Sequence, residues 1–134
     1  MIRDCLIPAL KSEFAGREII FDSPPQPIAT FPECQAAVGK VKVYDGGEEA
    51  TVLIEKITHG HFSTYDQKLG EEQRSRIITD DVVEFLKDLF NDRVLLYTSG
   101  SNRVGGWSRL SPKQGPVELL PGFTYFLWSR PYKI

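Results

Sequence analysis

The sequence predicts an α+β fold, a mostly antiparallel sheet of about 5–7 short strands packed against one main amphipathic helix, with a short N-terminal helix. Two observations carry this. Several short apolar runs are separated by turns rich in Gly, Pro, Asn and Asp, too short for crossover connections, so the strands pair antiparallel. One longer stretch instead places Ile78, Val82, Phe85, Leu86, Leu89 and Phe90 at the i, i+4, i+7, i+8 spacing of one buried helical stripe.

At the start of the chain Ile2, Leu6, Ala9, Leu10 and Phe14 recur near helical spacing. Pro8 lacks the N–H that an interior turn requires, which predicts a helix beginning close to Pro8. REIIF (17–21) and PIATF (27–31) flank the turn-forming DSPPQ and read as short strands, pushed towards a sheet edge by their prolines.

VGKVKVYDGGEEATVLIEKI is the clearest hairpin. With Gly46 and Gly47 as a two-residue turn, Val43 pairs with Ala50, Val41 with Val52 and Gly39 with Ile54, which puts the aliphatic side chains on one face. Lys40, Lys42 and Tyr44 face the other way, opposite Leu53, Thr51 and Glu49. If the second strand runs on unbroken, His59 and His61 share the parity of Thr51, Leu53 and Glu55 and lie on the more polar face; a bulge between Ile54 and His59 would reverse this.

After STYDQKLG comes the main helix, with Asp80, Glu84, Lys87 and Asp88 on its polar side. Acidic residues near both Glu71 and Thr79 suit a first turn, so either start is open. A strand at VLLY, a polar loop TSGSNRVGG, a strand at WSRL and a hairpin from VELL through Pro121 and Gly122 to FTYFLWS complete the chain.

The 134 residues fit one domain, 1–134, with no internal repeat or shift of composition. A net charge of -2 and scattered basic residues offer no footprint for a polyanion, so nucleic acid is not an expected partner. The longest uncharged apolar stretch, LLPGFTYFLWS, is far short of the roughly 20 residues that span a bilayer, so no membrane partner is expected either. Asp4, Pro8 and Lys11 interrupt any signal-peptide core. A cytoplasmic location follows, with Cys5 and Cys34 as free thiols.

THGHF (58–62) holds both histidines of the chain. Two imidazoles two apart on a strand project the same way and can share a metal ion, with Asp66, or Glu71 or Glu72, as a carboxylate ligand. Such an ion would activate water for hydrolysis. The competing reading is two solvent-facing histidines closing a strand. A nucleophilic triad would need Ser63, Thr64, Ser99 or Ser101 beside a histidine, and no GxSxG elbow is present. Glu55, Asp66, Asp80 and Asp81 are carboxylates without a distinguishing spacing, the last two reading as favourable charge at a helix start. GSNRVGG (100–106) lacks the lysine and hydroxyl of a phosphate loop and reads as a hairpin loop, with Arg103 and Trp107 suited to recognition. FTYFLW is apolar on both faces, and Trp128 joins Arg103 and Trp107 as a candidate binding surface.

The leading expectation is a non-catalytic protein-binding module of regulatory or accessory role, needing no cofactor, whose excess apolar strand surface is covered by a protein partner or a second copy. The alternative is a metal-dependent hydrolase that takes a divalent ion at His59, His61 and Asp66.

Overall fold

The computed structural model describes residues 1–64, 66, 68–99, 104–110 and 119–132. Its first element, α1 (Ile2–Glu13), corrects the expected helix start, because Pro8 lies inside it. Ile2, Leu6 and Leu10 form a fully buried stripe, while Pro8 is on the exposed side, where water can satisfy the carbonyl left without its N–H partner.

Five strands follow as a meander, β1 (Ile20–Phe21), β2 (Ala29–Phe31), β3 (Val41–Asp45), β4 (Glu49–Ile54) and β5 (Thr58–Ser63), in that order across the sheet and all antiparallel. β1 and β5 are the edges; β2 lies inside the sheet, between β1 and β3. The β3–β4 register is Val43 with Val52, Val41 with Ile54 and Asp45 with Ala50, two residues from the expected one. Gly46 still pairs, its N–H donating to the Glu49 carbonyl at 2.8 Å, so the turn moves to Gly47 and Glu48. Gly47 has φ +91 at the first turn position, where hairpin turns of the primed types require a left-handed residue.

The expected unbroken strand beyond Ile54 is also corrected. The chain turns at residues 55–57 and returns as β5, with Leu53 opposite His59 and Thr51 opposite His61. Directly opposed residues share a face, so both histidines keep the parity of Thr51 and Leu53 by a different route.

α2 (Glu71–Phe90) begins at the earlier of the two starts. Gly70 is extended, with φ -69 and ψ 163, and its N–H donates to Gln73 Oε1 at 3.4 Å, the returning half of a capping box. All six expected stripe residues are buried, and Asp80 and Asp81 lie mid-helix on the exposed side rather than at its start. Asp92, with φ 59, ends the helix and holds the Ser129 backbone N–H at 3.0 Å and the Ser129 hydroxyl.

A second sheet contains β6 (Val94–Ser99), β7 (Val104–Arg109) and β8 (Thr124–Phe126) in the order β7-β6-β8. The described residues therefore hold eight strands in two antiparallel sheets, an α+β fold with one strand beyond the expected range. β8 pairs with β6. Residues 117–118 of the expected VELL strand lie outside the described residues, and Leu119 and Leu120 are in no strand. Of the expected loop, 100–103 lie outside the described residues and Gly105 and Gly106 are inside β7. There the glycines answer to close approach: a Cβ at Gly105 would run into the Ile57 carbonyl, and one at Gly106 into the Tyr97 ring.

One buried cluster draws on both helices and both sheets. Phe14, Phe31, Phe90 and Trp128 pack with contacting ring centroids 5.0–5.7 Å apart, joining the cap that follows α1 to β2, α2 and the C-terminal segment. Phe62, Phe85 and Trp107 do the same for β5, α2 and β7 at 5.4 and 4.7 Å. Each such pair contributes about 0.5–1.5 kcal/mol beyond the area it buries. Of the FTYFLW run, Phe126, Leu127 and Trp128 are buried and Phe123 and Tyr125 are half-buried, so α1 and the second sheet add to the cover that α2 gives the apolar strand faces.

Candidate functional site

Alternation along β3, β4 and β5 sends Val41, Val43, Ala50, Val52, Ile54 and Phe62 towards the helices, leaving the other face to the remaining residues. On that outer face Lys42, Tyr44, Glu49, Thr51, Leu53 and Ser63 are half-buried and His59 and His61 are exposed; none is fully buried. The two imidazoles meet edge to face, with centroids 4.9 Å apart and planes at 76°. His61 Nδ1 lies 3.0 Å from Thr51 Oγ1 and 3.3 Å from Glu49 Oε1. Further along the face Lys42 Nζ is 3.2 Å from Glu55 Oε2. The Lys42 hydrogen bond, and then the Lys40 backbone N–H, hold the Glu55 carboxyl below its ordinary value of 4.5.

The expected three-ligand set is not assembled. Asp66 Oδ1 accepts the Lys68 backbone N–H at 3.0 Å and closes its own turn. Among the described residues no group of three His, Cys, Asp or Glu side chains is arranged to hold a metal ion. Nor does a described hydrogen bond join Ser63 or Thr64 to either imidazole; Ser99 is buried at 6% exposure in the second sheet, and Ser101 lies outside the described residues.

The candidate binding surface is likewise rearranged. Trp128 is 3% exposed and packs on Phe90, so it is core. Trp107 is half-buried, wedged against Phe85 and lying over Gly60, where a Cβ would stand 3.4 Å from its Nε1. Arg103 lies outside the described residues.

Beside the histidines, past Glu49 and Ser63, opens a cleft of about 680 Å³. Its walls come from four places: Ile2 of α1, the turn residues Gly46, Gly47 and Glu48, the end of β5 with Thr64, and Glu71, Arg74, Ser75 and Ile78 of α2. Glu48, Glu49 and Glu71 make its rim acidic. Glu71 Oε1 is engaged by the Met1 amino group at 3.2 Å, whose pKa is raised by that hydrogen bond first and by Asp4 second. Arg74 forms no ion pair among the described residues, although Arg76, two residues on, is held by Glu72 at 2.7 Å.

Sequence reasoning missed Glu48, Arg74 and Ser75. One signal was present: Arg74 is a cation close to the start of α2, where the helix dipole disfavours it, and a local choice that opposes the fold's own preferences marks a position worth inspecting.

Among the described residues, fold and site together define an α+β arrangement of two antiparallel sheets and two helices, with a polar, acid-rimmed cleft where the first sheet meets both helix starts. No family model, no curated protein and no solved structure matches the chain. None of the helices among the described residues is long and apolar enough to cross a membrane.

Proposed function

We propose that the protein is a non-catalytic binding module of accessory or regulatory role, and that it holds a segment of a partner protein in the cleft between the β3–β4 turn, the end of β5 and the start of α2. One observation carries the reading. Arg74 lines a concavity of ligand-binding size whose lining also includes Glu48, Glu49 and Glu71, and it has no ion-pair partner among the described residues. An arginine in such a place is an anchor for a carboxylate, which it can take in two parallel hydrogen bonds. Glu48 and Glu49 on the rim favour basic side chains next to that acid, so the segment has mixed charge, acidic at its centre and basic beside it.

The test is selection of a random peptide library on the purified chain, followed by calorimetry of the recovered peptides. Arg74→Ala should weaken them by about 1–2 kcal/mol, the size of an interface anchor, and Glu48→Lys should weaken those with basic flanks. Asp80→Asn, on the exposed side of α2, should leave affinity unchanged. Failure to recover any saturable peptide, or affinities indifferent to Arg74→Ala, would remove the proposal. A concentration-dependent dimer abolished by Arg74→Ala would make the occupant a second copy.

A further inference from the structure

The histidine pair has a geometry that the cleft does not use. We infer that His59 and His61 chelate a divalent ion of the late first transition row through their two imidazoles, with Glu49 as the outer carboxylate that orients His61. This is a two-ligand site and dispenses with Asp66.

Three features on β4 and β5 agree. A metal–nitrogen bond of about 2.1 Å plus about 1.2 Å to the ring centre places each centroid about 3.3 Å from an ion, so ligands about 90–110° apart hold their centroids about 4.7–5.4 Å from each other. The observed separation is 4.9 Å, and the 76° between the planes is no obstacle because each ring can rotate about its own metal–nitrogen bond. His61 Nδ1 faces Thr51 Oγ1 at 3.0 Å and Glu49 Oε1 at 3.3 Å. With the hydrogen on Nδ1, donated to these oxygens, Nε2 keeps its lone pair for the ion, the carboxylate–histidine arrangement that supports metal ligands elsewhere. Both rings are exposed, so solvent, or the same pair from a second copy, can fill the remaining positions. Imidazole donors suit copper, nickel and zinc rather than magnesium or calcium.

The experiment titrates chelator-treated, tag-free protein with Ni²⁺, by calorimetry and by recording which backbone amide resonances the paramagnetic ion broadens. Saturable uptake is expected, with broadening centred on Thr51, Leu53, His59 and His61. His59→Asn and His61→Asn should each weaken binding at least about tenfold, and Glu49→Gln about tenfold, within the range known for outer-sphere partners. Unchanged melting curves of the histidine variants, both at exposed positions, would show that the fold persists. Cys34→Ser, which removes an exposed thiol, should change nothing. Absence of saturable uptake, uptake that survives the double histidine variant, or broadening centred on Cys34 would overturn the inference. None of these readouts depends on the cleft having a partner.

Discussion

The two sheets meet where β7 passes the 55–57 turn, and Gly105→Ala tests that junction directly. A Cβ at Gly105 would overlap the Ile57 carbonyl oxygen and stand 2.8 Å from its carbonyl carbon. The obstacle is backbone, and it cannot swing aside: Lys56 N–H donates to the Val38 carbonyl at 3.0 Å and Ile57 N–H to the Ile54 carbonyl at 2.9 Å. The strand must therefore retreat, which also draws Trp107 away from Phe85, 4.7 Å between centroids. Overpacking costs about 1–3 kcal/mol when side chains can give; with a rigid neighbour the expected loss is at the top, about 3 kcal/mol. Against a total stability of about 5–15 kcal/mol for a single domain, that is a large share. In equilibrium urea unfolding the midpoint should fall by about 1–2 M with an unchanged slope. Gly16→Ala is the control: nothing lies within 4 Å of its Cβ, and it should be neutral or stabilising by up to about 1 kcal/mol. If Gly105→Ala came within about 0.5 kcal/mol of the parent, the ordinary scatter of surface changes, β7 would not lie against this turn and the junction would be wrong.

Trp128→Ala should lose about 3–5 kcal/mol in guanidinium unfolding, and Trp107→Ala, half-buried, about 2 kcal/mol; losses near zero would return both rings to the surface. Pro8→Ala should stabilise by about 1–2 kcal/mol in the same assay, the regained N–H bond in α1 outweighing the added freedom of the unfolded chain. An unchanged midpoint would mean that α1 is interrupted at that turn. Glu55 is held below its ordinary pKa of 4.5 in the folded state, so its contribution is complete above that value and is lost as pH falls through the depressed one. Glu55→Gln should accordingly flatten the acid limb of melting temperature against pH below about 4.5 and leave no comparable change at alkaline pH; an identical acid limb would dismiss the Lys42 contact.

What was legible in the sequence was periodic. The buried stripe of α2 and the alternating faces of β3 and β4 follow from spacings of 3.6 and 2, and they hold whatever the rest of the chain does. What was illegible depends on partners distant in sequence. Pro8 argued for a late helix start because its missing bond is local, whereas the burial of Ile2, Leu6 and Leu10 that outweighs it comes from neighbours elsewhere in the core. Gly105 and Gly106 looked like a loop because glycine is permissive, but their reason is the Ile57 carbonyl and the Tyr97 ring, one of them contributed by the other sheet. Trp128 reads as a recognition residue from sequence because its packing partner, Phe90, 5.1 Å away between centroids, is 38 residues distant in the chain. The cleft was invisible for the same reason, since its walls come from elements between residues 2 and 78.

His59 and His61 lie on the outer face of the first sheet although neither the expected register nor the expected continuous strand is present. The β3–β4 register was off by two residues, and the strand assumed continuous past Ile54 in fact reverses at 55–57. A two-residue slip returns every side chain to the face it left, since the strand period is 2. The reversal keeps the face as well, because it pairs odd residues with odd ones, Leu53 with His59 and Thr51 with His61. Had the turn been one residue shorter, His59 and His61 would have entered the core opposite Val52 and Ala50, where Gly60 and Phe62 now lie, and Phe62 would have lost its packing on Phe85. Burying two imidazoles without partners is costly, and so is exposing a phenyl ring, so the same energies that set the length of the 55–57 turn place the pair in solvent beside Glu49. An insertion of one residue after Lys56 should therefore be taken up by a longer turn, with β5 kept in register and Ni²⁺ uptake retained, whereas His61→Asn should remove uptake and leave the fold intact.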